Sequence, residues 1–189
     1  MKRLAVYCGA SMGADPLFER VARELGAEMA RRQIDLVYGG GHRGLMGVVA
    51  DSVLAAGGRA YGVIPKALVD LEVAHTGLTE LHTVTSMHER KAKMTELTDA
   101  FIAIPGGIGT LDELFEAWTW NALGYHSKPF CLLNVAGFWD GLIGFMDHVT
   151  GSGFMSSARR EQLLVADGIG EAIEKLDAAI KAAETRMVW

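Results

Sequence analysis

The 189-residue sequence predicts a three-layer α/β fold, a central parallel sheet with helices on both faces. Three observations predict it. Short apolar runs rich in Val, Ile, Leu and aromatics alternate with helical stretches, the pattern of strands joined through crossover helices. Glycine clusters stand directly after several of those runs, where strands hand over to helices. Half of the residues are hydrophobic, which at this length fills one core and makes 1–189 a single expected domain.

Each element has its own warrant. Residues 4–8 (Leu-Ala-Val-Tyr-Cys) read as the first strand, and 16–32 as a helix that opens on Pro16. Residues 36–38 form the second strand and 45–55 the next helix, followed by a strand at 60–64 that stops at Pro65. A fourth strand covers 81–85. The helix at 87–97 begins with the capping-box spacing Ser86 to Glu89. Residues 100–104 are a wholly apolar strand, 111–123 a helix, and 130–133 a further strand. Helices at 139–148 and 169–183 flank a last short strand at 163–165; several of the helices have glycine just beyond an end. Right-handed crossovers then distribute helices over both faces and gather ligands at the carboxyl ends of the strands. No repeat, linker or low-complexity segment interrupts the series.

Bulk properties remove several classes of function. A net charge of −5 with no block of like charge lacks the footprint that a nucleic-acid polymer or an anionic membrane demands. Small molecules or another subunit are the expected partners. Cys8 and Cys131 both lie in apolar strands, which reads as buried reduced thiols and a cytoplasmic protein. Met1-Lys2-Arg3 and the following apolar run imitate a signal peptide, but the run is short and leads into a patterned helix. No segment approaches membrane-spanning length.

Chemistry concentrates in the loops. Pro105-Gly106-Gly107-Ile108-Gly109-Thr110-Leu111-Asp112-Glu113 follows the strand at 100–104. Glycines let backbone approach an anion closely, and a helix start offers free N–H groups and positive potential. Glu113 beside a bound phosphate is unexpected on charge alone, so its task belongs to another part of the ligand: sugar hydroxyls, a water or a developing cation. Thr110-x-x-Glu113 also has capping-box spacing, which offers that glutamate a structural use. Asp112 and Glu116 read as solvated helix charges, and Trp118 and Trp120 as core or subunit contacts rather than a base platform.

Two further glycine loops share the rim, Cys8-Gly9-Ala10-Ser11 and Gly39-Gly40-Gly41-His42-Arg43-Gly44. The second fits the spacing of the dinucleotide fingerprint. The next strand, 60–64, ends without the acidic residue that would hold a ribose, so NAD is disfavoured. Neither loop carries the lysine and hydroxyl of a P-loop. On the helix at 87–97, Met87, Met94 and Leu97 set the apolar stripe, and Arg90 and Lys91 fall on or beside it while Lys93 and Glu96 face away. Cations on such a face snorkel out or meet an anion; the fork of Arg90 suits phosphate or carboxylate. His88-Glu89 begins like a zinc-protease helix, but Ala92 stands where the second histidine is needed, and no metal or other cofactor is expected.

The three motifs Gly39-Gly40-Gly41-x-x-Gly44-Leu45-Met46-Gly47, Met87-His88-Glu89-Arg90-Lys91 and Pro105-Gly106-Gly107-x-Gly109-Thr110-x-x-Glu113, in this order, resemble the lonely-guy family of cytokinin-activating enzymes. The likeness runs from Cys8 to about Asn134. It implies a Rossmann-like fold and hydrolysis of nucleoside 5′-monophosphates at the N-glycosidic bond, giving free base and ribose 5-phosphate. Members were often labelled lysine decarboxylases, for which no pyridoxal-phosphate lysine or phosphate cup is identifiable here. The resemblance makes Arg90 and Glu113 the catalytic pair, with Lys91, Gly107, Gly109, Thr110 and Thr119 as nucleotide contacts. Ser11, Gly41, Met46, Met87 and Gly106, in the same motifs and loops, complete the candidate substrate-binding set. The sequence departs from the family at Ile108, commonly an aromatic, and at Asn121, commonly glutamine. Family members are dimers or larger, so a homo-oligomer, most simply a dimer, is implied. A non-catalytic mononucleotide-sensing module and a hydrolase for other nucleoside monophosphates stay open; Glu113 with the cation pair separates the enzyme from the sensor.

Overall fold

The computed structural model describes residues 1–69 and 74–186. Seven strands, β1 (Arg3–Tyr7), β2 (Asp35–Tyr38), β3 (Ala60–Pro65), β4 (Glu80–Val84), β5 (Ala100–Ala103), β6 (Phe130–Leu133) and β7 (Leu163–Ala166), form one sheet in the order β4-β3-β2-β1-β5-β6-β7. Every pairing is parallel. The inner strands are buried on both faces because helices cover both, which is why they read as unbroken apolar runs rather than alternating ones.

The helices are α1 (Pro16–Arg31), α2 (Gly44–Ala55), α3 (Met87–Leu97), α4 (Ile108–Ala122), α5 (Asp140–Gly151), α6 (Ser157–Arg160) and α7 (Ile169–Arg186). On one face α1, α2 and α7 close a core that includes Leu25, Met29, Val49, Val53 and Ile173. On the other, α3, α4 and α5 close a second around Met94, Phe101, Leu114, Trp118 and Met146. The chain changes direction across the sheet between β1 and β5, so their carboxyl ends open a crevice at the topological switch point. Among the described residues no helix is long and apolar enough to cross a membrane.

The strand and helix succession agrees with the sequence reading; the differences are local. α6 and two single 3₁₀ turns, Lys66–Leu68 and Val135–Gly137, have too few residues to carry a periodic signal. More consequential is α4, which begins at Ile108, three residues earlier than the apolar periodicity implies. Its N-cap is Gly107, a residue with no side chain to betray a cap. At α3 the cap is as read, with the Glu89 N–H donating to Ser86 Oγ at 3.1 Å. The Glu89 carboxylate reaches one residue further back than the capping box requires, accepting from the Thr85 N–H and hydroxyl at 2.8 and 2.7 Å.

Candidate active site

Three loops are laced together over the crevice. The Gly9 N–H donates to the Pro105 carbonyl at 3.1 Å, tying the loop after β1 to the loop after β5. Gly44, at φ +58°, lies so close to the first loop that a Cβ there would stand 2.3 Å from Ala10 C and 2.4 Å from Ser11 N. Only glycine satisfies both that conformation and that approach. At Gly106 a Cβ would be 2.1 Å from Thr110 Oγ1 and 2.9 Å from Gly9 N, so this glycine serves the packing of loop on loop.

Between these loops and the first turns of α3 and α4 lies a cavity of about 430 Å³. Its walls include Cys8, Gly9, Ala10 and Ser11 from β1 and its loop, and Met46 from α2. Met87 and Arg90 enter from α3, and Gly107, Ile108, Gly109, Thr110, Asp112 and Glu113 from α4. With Gly107 as N-cap and no side-chain cap, the first N–H groups of α4 have no acceptor earlier in the helix and present positive potential to an anion. Thr110 is the third helical residue rather than the cap, so the capping-box use of Glu113 falls away. Its charge is felt at the end of β1: burial and then Glu113 push the Cys8 thiol up, and burial, Glu113 and Glu116 push up the Tyr7 hydroxyl.

Arg90 is 4% exposed. Its Nη2 donates to the Gly39 carbonyl at 2.9 Å, and Nη1 points at Met87 Sδ at 3.7 Å. A Cβ on Gly39 would be 2.0 Å from Nη2, so this first glycine of the triple is shaped around the guanidinium. The anion that Lys91 needed is supplied by the protein: Nζ pairs with Asp112 at 3.1 Å and with Glu116. Burial alone would lower the ammonium; the hydrogen bonds to Glu116 and Asp112 outweigh it and raise its pKa. Glu116 and Asp112 are therefore not merely solvated charges. Lys93, by contrast, pairs with Glu96 at 3.0 Å on the outer face of α3, as its helical phase dictates.

Of the sequence-predicted residues, Arg90, Glu113, Ser11, Met46, Met87, Gly107, Gly109 and Thr110 meet around this one cavity. Gly106, Gly41, Lys91 and Thr119 are outside its lining. Gly106 is packed under Thr110, and Gly41 is buried and bridged to Ala74. Lys91 stands behind its two carboxylates, and Thr119 is exposed almost three turns along α4. Sequence reading missed the Gly39 carbonyl and the Asp112 and Glu116 partners. The available signal for the latter was two adjacent cations on one helix and three acids within five residues on another.

A larger open groove of about 910 Å³ lies at the amino ends of the strands. Within it Asp35 pairs with Arg59 at 3.0 Å and with Arg3 at 3.8 Å, and the glycine loops at the carboxyl ends of the strands do not border it. One group of metal-ligand type also stands apart from the cavity: His42, Asp51 and His75 have donor atoms within 4.8 Å of one another. His75 Nδ1 accepts the Gly77 N–H at 3.0 Å, which puts the ring proton on Nε2, 2.9 Å from Asp51 Oδ1. In that tautomer Asp51 and His75 form a hydrogen-bonded clasp, with the His42 ring edge-on to His75 at 4.7 Å, and His75 offers a cation no lone pair.

Fold and rim define a doubly wound, Rossmann-like α/β protein with a glycine-walled cavity at its switch point. The family described as possible lysine decarboxylase matches residues 46–176. The chain is 45% identical to the cytokinin riboside 5′-monophosphate phosphoribohydrolase LOG of Oryza sativa subsp. japonica, over 100% of this chain and 78% of that protein. It is also 45% identical to LOG1 of Arabidopsis thaliana, over 93% and 83%. The chain belongs to the family of these phosphoribohydrolases. The molybdenum cofactor carrier protein of Chlamydomonas reinhardtii shares the fold at 20% identity and a TM-score of 0.72, covering 95% of this chain and 98% of that one. Among the described residues that line the cavity there is no lysine to form a Schiff base, so the cavity itself lends the decarboxylase description no support.

Proposed function

We propose that this protein hydrolyses the N-glycosidic bond of adenosine 5′-monophosphates, N6-substituted ones of the cytokinin type included, to free base and ribose 5-phosphate. The observation that carries the reading is the convergence of the α4 N–H groups, Glu113 and Arg90 on one cavity, in a chain of this family. The phosphate docks on the N–H groups of residues 107–110, and the ribose lies over Glu113. As the bond from C1′ to the base breaks, the base leaves with the bonding pair and takes up a proton, and positive charge develops at C1′ and the ring oxygen. Glu113 faces that charge and orients the water whose oxygen bonds C1′, so its stabilisation is greatest in the transition state. Arg90, fixed by the Gly39 carbonyl, orients the nucleotide and offsets its negative charge.

Glu113→Gln tests the assignment. Turnover of AMP and of N6-isopentenyl adenosine monophosphate falls by about 10²-fold or more, while AMP affinity by calorimetry stays within a few-fold. Turnover equal to the parent would remove Glu113 from the chemistry.

The working unit of this reading is a homodimer. Ile108 at the start of α4 and Leu123 just past its end, 84% and 66% exposed, share one helical stripe with the partly buried Phe115, an apolar strip that a second copy would cover. Sedimentation analysis returning a monomer at micromolar concentration would contradict it. The compartment is the cytoplasm, in keeping with two free buried cysteines among the described residues, of which Cys131 is pushed up to about 12 chiefly by burial.

A further inference from the structure

We infer that Asp51 and His75 are positioning residues of this site, acting on Arg90 through the triple-glycine loop. The chain of contacts is continuous. Asp51, on α2, accepts the Nε2–H of His75 at 2.9 Å, and the same ring accepts the Gly77 N–H at 3.0 Å. Both nitrogens are thus committed, and His75 is only 7% exposed. With the ring held, the His75 backbone N–H donates to the Gly40 carbonyl at 3.0 Å, and Ala74 makes an antiparallel bridge with Gly41. The segment that leads into β4 is thereby pinned on Gly40 and Gly41. The residue directly before them, Gly39, gives its carbonyl to the Arg90 guanidinium at 2.9 Å.

A run of three glycines has little conformational preference of its own, since each populates both halves of φ space. The carbonyl that aims Arg90 would wander if nothing held the loop from outside. The clasp supplies that hold through one side-chain hydrogen bond, and neither Asp51 nor His75 is among the residues lining the cavity. The inference rests on the assignment of Arg90 to the site made above.

The test is a double-mutant cycle. Asp51→Ala removes the acceptor and Asp51→Asn keeps an oxygen for the Nε2–H; Arg90→Met removes the guanidinium and keeps an unbranched stem. In the parent background Asp51→Ala lowers kcat/KM about tenfold, and Asp51→Asn restores it to within about twofold of the parent. The same cycle is read as AMP affinity in the Glu113→Gln chain, where turnover is slow enough for binding to be measured on intact nucleotide. There Asp51→Ala weakens AMP when Arg90 is present and changes nothing when Arg90 is Met. Equal losses in both backgrounds would mean a general structural role and overturn the proposal, as would an Asp51→Ala chain with parental affinity and turnover. A parent that releases no base would sink the hydrolase reading alone, because the affinity cycle still decides the positioning.

Discussion

Gly39→Ala is a one-carbon perturbation aimed at Arg90. Gly39 lies outside the left-handed region, so alanine adopts its backbone without strain, and the cost comes from what the new Cβ meets. That atom would stand 2.0 Å from Arg90 Nη2, 3.1 Å from its Cζ and 3.4 Å from Met46 Sδ. Ordinary contact requires roughly 3.5 Å, so the guanidinium must move by more than about 1 Å. Movement of that size breaks the 2.9 Å hydrogen bond to the Gly39 carbonyl. A hydrogen bond from a charged donor contributes about 1.5–3 kcal/mol, and a 1 Å misplacement of a positioning group costs about 10²-fold in rate. The two estimates agree on a loss of about 10²-fold in kcat/KM. Folding suffers less, because the obstructed atom is the end of a flexible side chain with a cavity beside it. The assay is release of free base from AMP by chromatography, with thermal unfolding in parallel. An alanine variant with turnover within twofold of the parent would refute the claim that the guanidinium must sit where the Gly39 carbonyl holds it.

Gly106→Ala behaves oppositely: its Cβ would meet Thr110 Oγ1 at 2.1 Å and the Gly9 backbone N at 2.9 Å, so stability falls by about 1–3 kcal/mol, read as a lower denaturation midpoint. His126 gives a pH signature. Burial, with Lys128 nearby, lowers its pKa from 6.5 to about 4, so the unfolded chain binds a proton that the folded one refuses between those values. Stability is therefore full above about pH 6.5 and declines as pH falls toward 4, by about 1–2 kcal/mol once partial exposure is discounted. Urea unfolding between pH 7 and 4.5 should show a shallower decline for His126→Asn, which keeps an acceptor for the Lys128 N–H; parallel slopes would refute the assignment.

What could be read in advance was whatever short-range pattern records. Buried parallel strands leave apolar runs, strand ends leave glycines, and helical phase put Arg90 on the same face as Met94, where it is found buried. The start of α4 was hidden because a glycine N-cap and a first turn containing Gly109 look like loop until the fold closes over them. Lys91 was visible as a cation needing an anion, but its partners lie 21 and 25 residues away on another helix, and only packing joins them. Gly41 shows the limit of motif reading: it belongs to the glycine triple, yet it is bridged to Ala74 and outside the cavity lining. The clasp on that loop joins side chains 24 residues apart whose spacing carries no periodic signal.

The most direct test of the central claim is to incubate the purified protein with AMP and, separately, with N6-isopentenyl adenosine monophosphate, and to quantify free base and ribose 5-phosphate together. The account predicts both products in equimolar amounts from the parent, and release reduced by about 10²-fold or more in Glu113→Gln. Nucleotide recovered intact from both incubations, with binding still measurable by calorimetry, would contradict it and leave a protein that holds mononucleotides without cleaving them.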